Sequence, residues 1–85
     1  MAETAEQITA HFSAMDDSVT LINATVADDT EAKAMYGGAA EVKLMITRNT
    51  DHLEIQAAKD WYIASSKTKT PYTNAVTAGK AYVAS

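Results

Sequence analysis

His11 and His52 are the only imidazoles among the 85 residues. Near neutral pH an imidazole can serve as a general base, a proton shuttle or a metal ligand. The first use needs a nucleophile or a second acid beside it, and the last needs further ligands. Asp51 directly precedes His52 in the chain and Glu54 follows two residues on. Were the two histidine segments to fold against each other, two imidazoles and a carboxylate would share one place, as at metal centres in helical bundles. Neither histidine, however, belongs to a Glu-x-x-His or His-Glu-x-x-His pair, the spacings that put two ligands on one helix face. The expectation is two histidines flanking a helix seam, with no metal bound.

Other chemistries find less. Asp16-Asp17 and Asp28-Asp29 are acidic pairs, but neither has the alternating oxygens, central glycine and distal glutamate of a calcium loop. Asp28-Asp29 reads as a helix cap and Asp16-Asp17 as a solvated face. The polar run from Ser65 to Thr70 contains no glycine, and Gly37-Gly38 is not followed by Gly-Lys-Ser/Thr, so no phosphate loop is present. Ser65 and Ser66 have no histidine placed to activate them. With no cysteine there is neither a disulfide framework nor a thiolate metal site. Basic residues are scattered singly and the net charge is −4, which argues against a nucleic-acid surface. The sequence offers no catalytic residue and no cofactor site, and predicts a protein that is not an enzyme.

The elements that would position these residues are legible as helices. Seventeen alanines leave 23 larger apolar or aromatic residues, enough for one or two helix seams but not for a sandwich or a doubly wound sheet. Ile8, Phe12, Met15, Val19, Ile22 and Val26 recur at four, three, four, three, four, one narrow helical stripe. Thr4 and Gln7 have the spacing of a capping box, so a helix is expected from about 5 to 27. From about 30 to 66 a second helix is expected, because Met35, Ala39, Val42, Ile46, Leu53, Ala57 and Ala64 stay in phase across Gly37-Gly38. The Thr70-Pro71 pair reads as the start of a third helix, about 71–84, with Tyr72, Val76, Gly79 and Val83 on one side. Residues 1–85 thus make one all-α domain, an antiparallel three-helix bundle formed by a long helical hairpin and a short C-terminal helix.

Charge favours the hairpin. The first 32 residues hold seven acids and no lysine or arginine, whereas the remainder holds all seven basic residues and four acids. Folding one half on the other relieves repulsion that the first helix would feel beside its own copies. In the expected register Val19 meets Val42, Ile8 meets Leu53, and His11 approaches His52. On the last helix Val76 lies on Tyr62, Gly79 on Ala58 and Val83 on Ile55.

Two features concern partners. Trp61, Tyr62, Tyr72 and Tyr82 are expected to converge as an aromatic plug at one end of the bundle. Leu44, Ile55 and Tyr62 form a second stripe on the middle helix, and a short last helix would leave Leu44 uncovered. Leu21 falls on the outer face of the first helix. Leu21, Tyr36, Leu44 and Arg48 are therefore the candidate interface, with a dimer through the middle helix or another protein as the partner.

The stretch HLEIQAAKDWY, followed by a polar linker and YTNAVTAGKAYVAS, resembles the C-terminal half of small proteins of tailed bacteriophages. It covers roughly residues 52–85. The resemblance implies a phage or prophage origin and a role beside virion structural genes, and carries no functional residues with it. The expected function is protein–protein association, as in a phage structural or assembly accessory protein. The alternative is a small regulatory protein whose acidic first helix imitates a polyanion on a host protein. No segment approaches the ~20 apolar residues of a membrane span. The acidic opening MAETAEQ lacks the basic start and apolar core of a secretory signal, which predicts a cytoplasmic protein, in the host cell or virion-associated.

Overall fold

The computed structural model describes residues 2–85, an elongated body of 41 × 20 × 17 Å. Its elements are α1 (Ala5–Ala27), α2 (Thr30–Tyr36), α3 (Ala39–Ala57), α4 (Asp60–Ala64) and α5 (Thr70–Ala84). No strand occurs among the described residues. α1, α3 and α5 pack against one another as a three-helix bundle, with α1 and α5 parallel and α3 antiparallel to both. The all-α, three-helix architecture is as expected. The long second helix is not: it is three helices.

Helix α1 begins where its cap dictates. The Gln7 amide donates to Thr4 Oγ1 at 3.1 Å, and the Thr4 amide donates to Gln7 Oε1 at 2.8 Å. Phe12, Met15, Ser18, Ile22 and Thr25 are its buried residues, while Ile8 and Val19 are half-buried and Val26 is 38% exposed. The expected stripe is thus widened and rotated. A helix lying in the groove between two neighbours must bury a broader face than one seam, and the small polar Ser18 and Thr25 fill its flank.

Two breaks divide the middle of the chain. Gly37 and Gly38 have φ of 97° and 124°, and both of their amides donate to the Lys33 carbonyl, closing α2 with a left-handed cap. Preserved phase on either side had suggested continuity, but two adjacent glycines make the left-handed stop cheap. Met35 consequently leaves the core and is 68% exposed. The second break falls at Ala58 and Lys59, where Lys59 is extended and starts α4. Tyr62 stands five whole turns after Leu44, so on an unbroken helix it would share that residue's outward face. The break rotates Tyr62 into the core, where it is 5% exposed, and leaves Leu44 and Ile55 outside.

These breaks also reset the register. Ser18 meets Asn49 and His52 across α1 and α3, and Gly79 meets Thr50 and Ile46 across α5 and α3. Relative to expectation, α3 has slid along α1 by about one heptad, because residues 28–38 are spent on the connection and α2. The neighbours of Gly79 lie about two to three turns from Ala58, so Gly79 does not stack on Ala58 as expected, although α5 does reach Tyr62 through Tyr72, whose ring is 6.1 Å away. α5 instead rides on the flank carrying Ile46 and Thr50 and reaches the far end of α3, where Lys43 Nζ donates to the Ser85 carbonyl at 2.6 Å. Thr70 is the first residue of α5 rather than its cap, with Pro71 in the first turn.

The core comprises Met15, Ile22, Val42, Ile46 and Leu53, all but fully enclosed, together with Phe12, Met45, Tyr62, Tyr72 and Ala75. One end is aromatic. The Phe12 ring lies 5.2 Å from Trp61, edge to face, and 5.9 Å from both Tyr62 and Tyr72. Lys67 and Lys69 of the 65–69 connection place their ammonium groups 5.1 Å over Phe12 and 5.4 Å over Tyr62. Contrary to expectation, Tyr82 is not part of this plug: Phe12 takes that place, and Tyr82 lies near the opposite end beside Asp29.

Candidate functional site

The residues with chemistry in their side chains occupy three places. The first is the seam between α1 and α3. Ser18, 6% exposed, has its Oγ 2.9 Å from Asn49 Oδ1 and 2.9 Å from His52 Nδ1, while Asn49 Nδ2 donates to the Met45 carbonyl at 2.9 Å. Because the amide nitrogen faces Met45, the amide oxygen must accept the Ser18 proton. The hydroxyl has no second proton, so His52 Nδ1–H must donate to it. This polarity is the reverse of a nucleophile and its general base, in which the imidazole accepts from the hydroxyl. Ser18, Asn49 and His52 form a polar clasp that pins the helix register.

The second place is the aromatic end. His11 stacks on Trp61 at 4.8 Å with planes 22° apart, and its Nε2 is 2.9 Å from Glu3 Oε1. Ala2, Ile8, Gln56, Lys59, Asp60 and Ala64 complete an open cleft of about 780 Å³ around them. No serine, threonine or tyrosine hydroxyl lines this cleft, so the imidazole has no nucleophile there to activate. The expected approach of His11 to His52 does not occur, since the changed register puts them in different sites. Among the described residues no group of three His, Asp or Glu side chains could hold a metal ion.

Burial, tyrosine–aspartate pairs and one Asx turn account for the displaced titrations. Tyr72 donates to Asp16 Oδ1 at 2.6 Å; burial, and then that carboxylate, push its phenol well up. Burial also raises Tyr62. Tyr82 donates to Asp29 Oδ2 at 2.8 Å, which raises the phenol and, with the Lys33 ammonium at 3.2 Å, lowers the Asp29 carboxyl. Asp28 accepts the Thr30 amide at 3.0 Å, an Asx turn that opens α2 and holds this carboxyl below its usual range. Each of these hydrogen bonds ties α5 to α1 or to the connection after it, or closes a turn.

The third place is the surface. Leu21 is half-buried and shares with Met35 and Tyr36 a shallow groove of about 260 Å³, which Leu44 and Arg48 do not line. Leu44 and Arg48 lie one turn apart on the outward face of α3, and that face continues to Asp51 and Ile55. Leu44 is 49% and Ile55 58% exposed. The candidate interface residues therefore fall into two pairs on different surfaces. Asp51 and Ile55 extend the α3 pair, and their spacing of four, three, four from Leu44 is the signal in the sequence that marks them.

Among the described residues no helix is long and apolar enough to cross a membrane. Compared with known proteins, the chain matches no family model, no curated protein and no solved structure.

Proposed function

We propose that this chain is a non-enzymatic association module that docks through the outward face of α3. The observation that carries this is the pair of half-exposed aliphatic side chains, Leu44 and Ile55, in a chain with only 23 sizeable apolar residues. The residues that could do chemistry are meanwhile engaged in holding helices together: Ser18 and His52 in the clasp, Tyr72 and Tyr82 on aspartates. The resemblance of residues 52–85 to tailed-phage proteins supports virion structure or assembly as the setting.

Placing a photo-cross-linking phenylalanine analogue at Leu44, and separately at Ile55, tests this in the cell that carries the gene. Irradiation is expected to yield adducts heavier than the 9.1 kDa chain from both positions. A chain that forms no adduct from either position docks nothing on this face, and the proposal falls.

A further inference from the structure

The outward face of α3 has an order that fits one kind of partner. Read along the helix it is apolar, basic, acidic, apolar: Leu44, Arg48, Asp51, Ile55, at spacings of four, three and four. These are alternating seam positions of a heptad, all on the side opposite the buried Val42, Ile46 and Leu53. The pattern is its own complement when reversed. A two-fold axis passing between Arg48 and Asp51 would lay Leu44 on the partner's Ile55, and Arg48 on the partner's Asp51, each contact occurring twice. In antiparallel helix pairs the seam positions alternate in just this manner. A parallel arrangement would set Arg48 on Arg48 and Asp51 on Asp51, and is disfavoured by charge.

Both ionic groups are free to make the contact. Among the described residues the ion pairs are Glu3–His11, Asp29–Lys33, Asp16–Lys67 and Glu54–Lys80, and neither Arg48 nor Asp51 enters one, although they sit a single turn apart. Antiparallel packing also opposes the two helix dipoles favourably. It keeps the acidic α1, which lies on the other side of α3, away from its mate.

We infer that the partner of this face is a second copy of the chain, docked α3 against α3 in an antiparallel two-fold pair. This rests on the outward face of α3 being an association surface. Leu44 and Ile55 are about 16 Å apart along the axis, so the contact is small and the dimer is concentration-dependent. Arginine and aspartate at its centre set direction and partner, while the aliphatic ends supply the burial.

Sedimentation equilibrium of the full chain between about 10 μM and about 1 mM tests this. The mass of the wild-type chain is expected to rise from 9.1 kDa toward twice that value. Arg48→Asp alone and Asp51→Arg alone should each weaken association at least about tenfold, because like charges then meet twice across the axis. An equimolar mixture of the two variants should recover the dimer, since both ionic contacts are again between opposite charges. Such recovery also shows that both variants are folded. A wild-type chain that stays monomeric at the top of the range overturns the inference, as does a dimer indifferent to both reversals. Photo-adducts at Leu44 that contain only another protein overturn it too, while leaving the broader association function standing.

Discussion

Gly79 of α5 faces Thr50 of α3 so closely that a Cβ built on the glycine would stand 2.5 Å from the threonine Cγ2. Ile46 Cγ2 and Ile22 Cγ2 would lie at 3.2 and 3.4 Å. Three helices therefore converge on a position with no side chain, and the absence of one sets how near α5 can come.

Replacing Gly79 by alanine opposes two effects. An interior helical glycine costs about 1 kcal/mol relative to alanine, which favours the substitution. Forcing a methyl into an enclosed site costs about 1–3 kcal/mol, and Thr50 is itself buried, with its hydroxyl tied to the Thr47 carbonyl. Gly79→Ala should lower stability by about 1 kcal/mol in urea denaturation. In a Thr50→Ser background, where the offending methyl is gone, the same change should be neutral or stabilising. Additive effects across that double-mutant cycle would contradict the contact.

Ser18→Ala removes the middle of the α1–α3 clasp and strands Asn49 Oδ1 and His52 Nδ1–H at a half-buried seam. The expected cost is about 1–2 kcal/mol in thermal or chemical denaturation. Nitrogen NMR gives the sharper readout. In the wild-type chain His52 should carry its proton on Nδ1, and the substitution should release that tautomer preference. A His52 found protonated on Nε2 alone would reverse the polarity of the clasp.

The ends of α1 and α5 were open to reading from the sequence because their signals are local: a threonine–glutamine box at one, a threonine–proline pair at the other. The stripe centred on Phe12, Met15 and Ile22 was equally legible. What lay hidden were events decided by tertiary packing. Nothing around Lys59 resembles a helix stop, since neither glycine nor proline is near; the break exists because Tyr62 is buried only if the chain turns there. Ser18 and Thr25 give no signal in an apolar pattern because small hydroxyls are silent there, yet both are core. The same blindness misplaced the histidines, whose partners depend on a register that the two breaks reset. Of the interface, Leu44 and Arg48 were apparent as unmatched residues, whereas Asp51 and Ile55 acquire meaning only on a face known to be uncovered.

Gly37 and Gly38 should respond differently to alanine. Gly37, with φ 97° and ψ 21°, lies near the left-handed region that other residues enter at about 1 kcal/mol. Gly38, with φ 124° and ψ 179°, lies where essentially only glycine is found, and strain there runs to about 1–3 kcal/mol. Gly38→Ala should therefore destabilise more than Gly37→Ala, even though a Cβ at Gly38 would meet nothing within 4 Å. Because no contact is lost, the whole difference in denaturation midpoint measures backbone strain. Negligible effects at both positions would show that α2 and α3 can join as one helix at little cost, and equal large ones that Gly37 is as strained as Gly38.

Tyr72 gives the protein an alkaline limit. Its phenol titrates well above the ordinary range, raised by burial and by the Asp16 carboxylate at 2.6 Å, whereas an unfolded tyrosine ionises near pH ~10. Below that pH both states keep the proton, and stability does not depend on it. Above it the unfolded chain gives up a proton that the folded chain retains, so stability falls as the pH rises toward the folded value. Tyr72→Phe should be less stable at neutral pH by about 1 kcal/mol, for want of the hydrogen bond to Asp16. The variant should also lose stability less steeply above pH ~10, so that the two curves converge. Tyr62 and Tyr82 are raised as well and remain in both chains, so the difference between the curves reports Tyr72 and its coupling to the neighbouring Tyr62. Urea midpoints measured from pH 8 to 11.5 decide the matter, each value about half a unit apart. Parallel curves would mean that the folded Tyr72 ionises no later than the unfolded one, and that its contact with Asp16 does not hold the proton in place.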